Sequence, residues 1–184
     1  MLKNVEWVEN DIYSVVLRED LYTLVQMRKN NILQFFDITN SLDEWSGVDL
    51  GKLPTLFFKF VALKGIKRIF VRKVPESEVA RSSAPIETKF LSMDLSQAPD
   101  FSAKLVELTE GFDIIGSKPL TGRLNAKDDL DTIYRYELAG SEGNVDRVAK
   151  RLIRYFETGV NWDDSKAVIF KDVPQPPPHY GKAT

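Results

Sequence analysis

The sequence contains no cysteine and a single histidine, His179. The first absence excludes disulfides, thiolate nucleophiles and Cys-ligated zinc or iron–sulfur sites. The second leaves no conventional Ser–His or Cys–His triad. His179 stands in a proline-rich stretch, and a catalytic base needs a rigid supporting shell. Long apolar runs are missing as well. No uncharged stretch approaches the roughly 18 residues of a membrane span, and the opening residues Met1 to Glu6 have no apolar signal-peptide core. A cytoplasmic protein is the expectation from this lack of addresses. Excess charge of one sign is also absent. The 25 Lys and Arg against 27 Asp and Glu give a net charge of −2, where a dedicated nucleic-acid binder usually carries a basic surplus.

What is present suits a folded core. Of 184 residues, 43% are hydrophobic, with 11 Phe, 6 Tyr and 3 Trp. A chain of this length withdraws about 70% of its unfolded surface from water on folding. One globular domain is expected over residues 1–171. From Asp172 the sequence DVPQPPPHYGKAT, with four prolines, reads as a mobile tail over 172–184.

The patterning predicts an α+β fold, a mostly antiparallel twisted sheet with a few helices. Ile12–Arg18, Leu21–Met27 and Ile32–Ile38 are β-branched and aromatic runs joined by short turns, Asn30-Asn31 among them, and suggest a meander. Ser41 to Glu44 has the form of a capping box and predicts a short helix near Trp45. Leu56–Leu63 and Ile66–Val71 predict a second hairpin turning at Lys64-Gly65, with a buried helix segment as the other reading of the first arm. Pro75–Pro85 reads as a loop, Lys89–Leu95 as a strand. Asp100 is a candidate N-cap for a helix with Phe101, Leu105 and Leu108 on its apolar face. Ile133–Leu138 and Ala167–Phe170 read as strands. The strongest helix spans residues 144–157. Asn144 caps it, and Val145, Val148, Ala149, Leu152, Ile153 and Phe156 form an apolar stripe that predicts packing on the sheet. Arg147, Lys150, Arg151 and Arg154 lie off that stripe, and Gly159 stops the helix.

Chemistry has few places to reside. Asp128, Asp129 and Asp131 cluster, and Asp163 and Asp164 follow Trp162. Hard cations take such oxygen ligands, but the DDLD run lacks the spacing and later Glu of a calcium loop. No metal or cofactor is expected. Gly140-Ser141-Glu142-Gly143 precedes a helix without the Lys and spacing of a phosphate loop. Lys59, Lys64, Lys67, Arg68, Arg72 and Lys73 form a basic run with no acid among them. Interleaved with Phe70, it fits an anionic-ligand or single-strand nucleic-acid surface. Edge-strand protection by Lys and Arg accounts for it more simply.

The N-terminal half resembles the immunity protein 26 family, bacterial proteins encoded beside polymorphic or contact-dependent toxins. The resemblance rests on Glu9-Asn10-Asp11-Ile12-Tyr13-Ser14-Val15-Val16-Leu17, on the Leu21–Val25 strand and on Ile32-Leu33-Gln34-Phe35-Phe36-Asp37-Ile38. A later segment, Phe112-Asp113-Ile114-Ile115-Gly116-Ser117-Lys118-Pro119, also matches. Asn10 stands where the family has Gly, and Phe112 where it has Trp. The resemblance implies an immunity protein that binds and neutralises a cognate toxin domain, and the scarcity of catalytic side chains makes it a binder rather than an enzyme. Asp128, Asp129, Asp131, Asp163 and Asp164 are then candidate contacts for a basic toxin surface. Tyr134, Tyr136, Trp45 and Trp162 are candidate aromatic anchors. The alternatives are a nucleic-acid or anion binder using residues 59–73, and a carboxylate- and metal-dependent hydrolase.

Overall fold

The structure, a computed structural model, describes Leu2, residues 4–96 and residues 100–181. It is α+β, with a mostly antiparallel five-stranded sheet and a few helices. Where the sequence reads residues 1–171 as one body, the chain groups into two compact units. The first is Met1–Ile86 with Ser141–Ala149, the second Glu87–Gly140 with Lys150–Thr184.

The first unit contains β1 (Ile12–Arg18), β2 (Leu21–Met27), β3 (Ile32–Phe36), β4 (Val48–Asp49), β5 (Thr55–Phe60), β6 (Phe70–Val74) and β7 (Val79–Ala80). The sheet order is β5-β3-β2-β1-β6, with all neighbours antiparallel, and β4 and β7 form a separate parallel pair. The meander of the first three strands turns at Asn30 and Asn31. Both have positive φ (50° and 57°), a region that Asn tolerates better than most side chains. β3 is buried along its whole length, which explains its continuous rather than alternating apolar run. On one face Ile12, Leu24, Phe36 and Val74 pack with Trp45, Leu50 and Val79.

That face also buries polar side chains that hydrogen-bond to one another and to backbone, with Arg28 Nε left without a partner among the described residues. Gln26 Nε2 donates to Asn10 Oδ1 (3.0 Å) and to the Ser82 carbonyl (3.0 Å), while its Oε1 accepts from the Ser82 amide (2.8 Å). Arg28 donates to the Ala84 carbonyl (2.9 Å) and to Gln34 Oε1. Burial pushes the Arg28 guanidinium below its ordinary pKa, with Glu9 opposing. These bonds tie residues 82–84, read from sequence as plain loop, to the sheet.

Two expectations for this unit are corrected. Residues 41–46 form no helix. The Asp43 carboxylate accepts instead from Trp45 Nε1 (2.7 Å), Ser14 Oγ (3.0 Å) and Arg72 Nε (3.1 Å), and Arg72 also grips Glu78 at 2.7 and 3.0 Å. These long-range bonds outweigh the local capping pattern. Nor is there a hairpin at Lys64-Gly65. Leu63–Ile66 forms the helix α1, and β5 and β6 pair with β3 and β1 at opposite edges of the sheet. Gly65 is required there for another reason: a Cβ would lie 2.0 Å from the Gly143 carbonyl oxygen.

The second unit contains β8 (Lys89–Asp94), β9 (Ser102–Glu107) and β10 (Lys118–Pro119), an antiparallel sheet in the order β10-β9-β8. With it come the helices α2 (Leu130–Arg135), α3 (Val145–Thr158) and α4 (Ser165–Ile169). The first five residues of α3 belong to the first unit. The core joins Leu91, Ala103, Leu105, Leu124, Ile133, Leu138, Trp162, Ile169 and Phe170.

α3 begins and ends as its sequence predicts. Asn144 Oδ1 accepts from the Asp146 amide (3.0 Å), and Gly159 adopts φ 76°. Its buried face is rotated from the expected stripe. Arg151, placed off the stripe by pattern, is buried, and its guanidinium holds both oxygens of buried Glu137 at 2.6 and 2.8 Å, with Nε on Asn161 (2.8 Å).

Three elements differ from the sequence reading. Ser102–Glu107 is a strand, not a helix, since it pairs with β8 along its full length. Ile133–Leu138 is not the expected strand: its first three residues end the helix Leu130–Arg135, where buried Lys166 Nζ donates to the carbonyls of Ile133 (2.7 Å) and Tyr134 (3.5 Å). Residues 165–169 are helical too, started by Asp163 Oδ1 accepting from the Ser165 amide (2.9 Å). Of the tail, residues 172–181 are described and make defined contacts; Lys182 to Thr184 lie outside the described residues.

Candidate partner-binding surface

The turn that leads into α2 organises the richest surface of the second unit. Asn125 is its hub. Its Oδ1 accepts from the amides of Lys127 (3.0 Å) and Asp128 (2.9 Å), and its own amide donates to Asp129 Oδ2 (2.8 Å). Asx turns of this kind fix a loop without regular secondary structure. The turn presents Asp128 outward. Among the described residues its carboxylate makes no hydrogen bond or ion pair.

The same turn walls a hollow of about 210 Å³, lined by residues 100–102, 123–126 and 168–171. Phe101 and Val168, 44% and 73% exposed, are among its lining residues. They belong to a wider trend. Among the described residues, eight of the ten exposed large apolar side chains lie in the second unit. Scattered exposed apolars are ordinary, whereas grouping around a concavity marks an interaction site.

Beside the turn, the tail docks on α2. Tyr134 donates to the Pro174 carbonyl (3.0 Å) and meets the rings of Trp162 and Tyr180 edge-on, at 5.9 and 5.2 Å. Tyr180 donates to Asp131 Oδ1, and that bond pushes its phenol up to about 12. Burial raises Tyr134 in the same direction. The His179 amide donates to the Gly159 carbonyl (2.8 Å), with the ring packed against Gly159.

The residues singled out from sequence therefore separate. Asp128, Asp129, Asp131 and Tyr134 come together around one turn and helix. Asp129 is occupied by Asn125, Asp131 by Tyr180, and Tyr134 by the tail. Tyr136 is half-buried beneath the Arg135 guanidinium, 5.6 Å from its ring centre. Asp164 is exposed but paired with Arg154 (2.8 Å) and Lys150 (3.6 Å). Trp162 and Asp163 are buried beside α4, and Trp45 is buried in the first unit. These three are core residues, because each exposes less than a tenth of its surface. Phe101, Arg123, Val168 and Lys171 carried no signal of a binding role in the sequence. Their proximity arises from three segments far apart in the chain.

The basic run is largely engaged. Lys59 is buried on β5, Arg72 is bound to Asp43 and Glu78, and Lys73 pairs with Asp11 at 2.6 Å. β5 and β6 are the outermost strands of their sheet. Among the described residues no group of three His, Cys, Asp or Glu is placed to hold a metal ion, and no helix is long and apolar enough to cross a membrane.

The chain belongs to the family described as domain of unknown function DUF8309, whose model matches residues 2–175. No curated protein and no solved structure matches it.

Proposed function

We propose that the chain acts by binding another protein, as an immunity protein that neutralises a cognate bacterial toxin domain. The observation that carries the binding part is the Asn125–Asp131 turn. One rigid turn walls an apolar hollow, bears the unpaired Asp128 and lies next in sequence to α2. An apolar anchor site rimmed by charge is the anatomy of protein interfaces, and hot-spot side chains fill such hollows. A specific complex would bury about 1,200–2,000 Å².

The toxin part rests on the resemblance to the immunity protein 26 family. One feature of the backbone supports it. Asn10, which stands at the family's glycine, has φ 72°. Glycine takes that left-handed conformation freely and Asn is among the best substitutes, so the departure preserves the turn. The nucleic-acid alternative loses ground, since Lys59, Arg72 and Lys73 are already buried or paired.

The test is co-expression with a toxin domain encoded beside this chain. Growth rescue and co-purification are expected, and both should fail with Asp128→Lys combined with Val168→Asp in a chain that remains folded by circular dichroism. A folded wild-type chain that neither protects nor co-purifies defeats the reading.

A further inference from the structure

We infer that the hollow of the second unit binds a carboxylate carried on a small apolar body. At about 210 Å³ it is smaller than the roughly 300–1,000 Å³ of pockets that enclose drug-sized ligands. One ring or branched alkyl group fills it. Leu124 and Phe170 supply buried apolar wall, and partly exposed Phe101 adds an aromatic surface.

The charges decide the polar end of the ligand. Arg123, Lys171 and Asp100 are the charged lining residues. Asp100 and Lys171 form only a loose pair, 3.6 Å apart with both side chains more than 70% exposed, and such pairs contribute little. Arg123 has no carboxylate partner among the described residues. Its Nη2 donates to the Asp100 backbone carbonyl, and its Nη1 is buried without a hydrogen-bond partner. The lining thus carries one uncompensated positive charge, on a planar guanidinium whose hollow also bears Leu124 and Phe170. A guanidinium with spare donors selects a planar carboxylate. The acids of the 128–131 turn follow in sequence but do not line the hollow.

Two sources supply such a group: a free small acid, and the C-terminal residue of a peptide. The assignment needs no toxin, so it stands or falls separately from the immunity reading. A chain that protects against a toxin yet binds no acid, or the reverse, tells the two apart.

Amide NMR spectra of the full chain, titrated with phenylacetate, phenylacetamide and N-acetylphenylalanine, provide the test. Phenylacetate is expected to shift residues 101–102, 124–126 and 169–171 saturably, and to bind at least about fivefold more tightly than the neutral amide, as befits a charge-assisted contact. Arg123→Gln should abolish that preference. Val168→Trp, at an exposed lining position that leaves the fold intact, should weaken both ligands by filling the hollow. Tighter binding of N-acetylphenylalanine than of phenylacetate identifies a chain terminus as the source; the opposite order identifies a free acid. Equal binding of acid and amide, shifts elsewhere on the chain, or no shift at millimolar phenylacetate would overturn the inference.

Discussion

The two units differ in how each holds a buried arginine and in how much large apolar side chain each exposes. The first gives Arg28 only uncharged acceptors, Gln34 and the Ala84 carbonyl, within hydrogen-bond reach. It uses polar side chains to strap the 75–86 segment to a five-stranded sheet. The second matches buried Arg151 with buried Glu137 through two hydrogen bonds, while much of its apolar surface stays outside. A unit with a hollow, exposed Phe101 and Val168, and an unpaired Asp128 still has surface to cover. Under the proposed function, recognition falls to the second unit and support to the first.

The contrast in buried charge predicts the largest effects. Arg151→Ala strands Glu137 in the interior, and removing one member of a buried pair costs about 3–5 kcal/mol. Urea unfolding should show it. Arg28→Met removes a guanidinium with no carboxylate partner, leaving uncharged acceptors unsatisfied. The expected loss is smaller, about 1–3 kcal/mol. Equal losses would erase the distinction between the units. At the surface the order reverses. Val168→Ser should change stability by less than about 0.5 kcal/mol, yet weaken partner binding about tenfold if the hollow anchors the complex. An unchanged affinity moves the interface elsewhere.

The smallest effect concerns the tail. Tyr180 titrates near 12 because it donates to Asp131, above its ordinary 10.0. A phenol whose folded pKa is raised contributes stability below pH 10 that is lost as pH rises through about 12. In a phenolate absorbance titration, Asp131→Asn should bring one tyrosine back toward 10. A superimposable titration would show that the tail contact does not persist in solution. Asp94 offers the acid-side counterpart. The Ser96 hydroxyl and amide, then Lys104, hold it at about 2. Its contribution is complete above the ordinary carboxylate value and disappears as pH falls through 2, which a carboxyl-carbon NMR titration reads directly.

Sequence was most informative where structure is local. Strands β1 to β3, the Asn30-Asn31 turn and the ends of α3 follow from turn chemistry, capping and long periodic runs. It failed where distant groups decide. The Ile133–Leu138 alternation is too short to separate strand from helix, and Lys166, more than thirty positions later, satisfies the helix end. Phe101, Leu105 and Leu108 fit a helical stripe, but β8 was available to pair with them. Arg151 looked like a surface cation because its partner, Glu137, lies outside the helix. Of the surface, the acidic turn could be read from residue type alone. The hollow could not, since residues 100–102, 123–126 and 168–171 converge only in the fold. The aromatic anchors were the weakest inference: side-chain type suggests Trp45 and Trp162 equally as contacts or as core, and burial places them in the core.

Hydrogen exchange of the chain, alone and with any toxin domain found encoded beside it, tests the proposed assignment of recognition to the second unit most directly. The account predicts new protection at Phe101, at residues 123–131 and at residues 168–171, with the five-stranded sheet unchanged. Protection confined to the first unit, above all along β5 or β6, would contradict it.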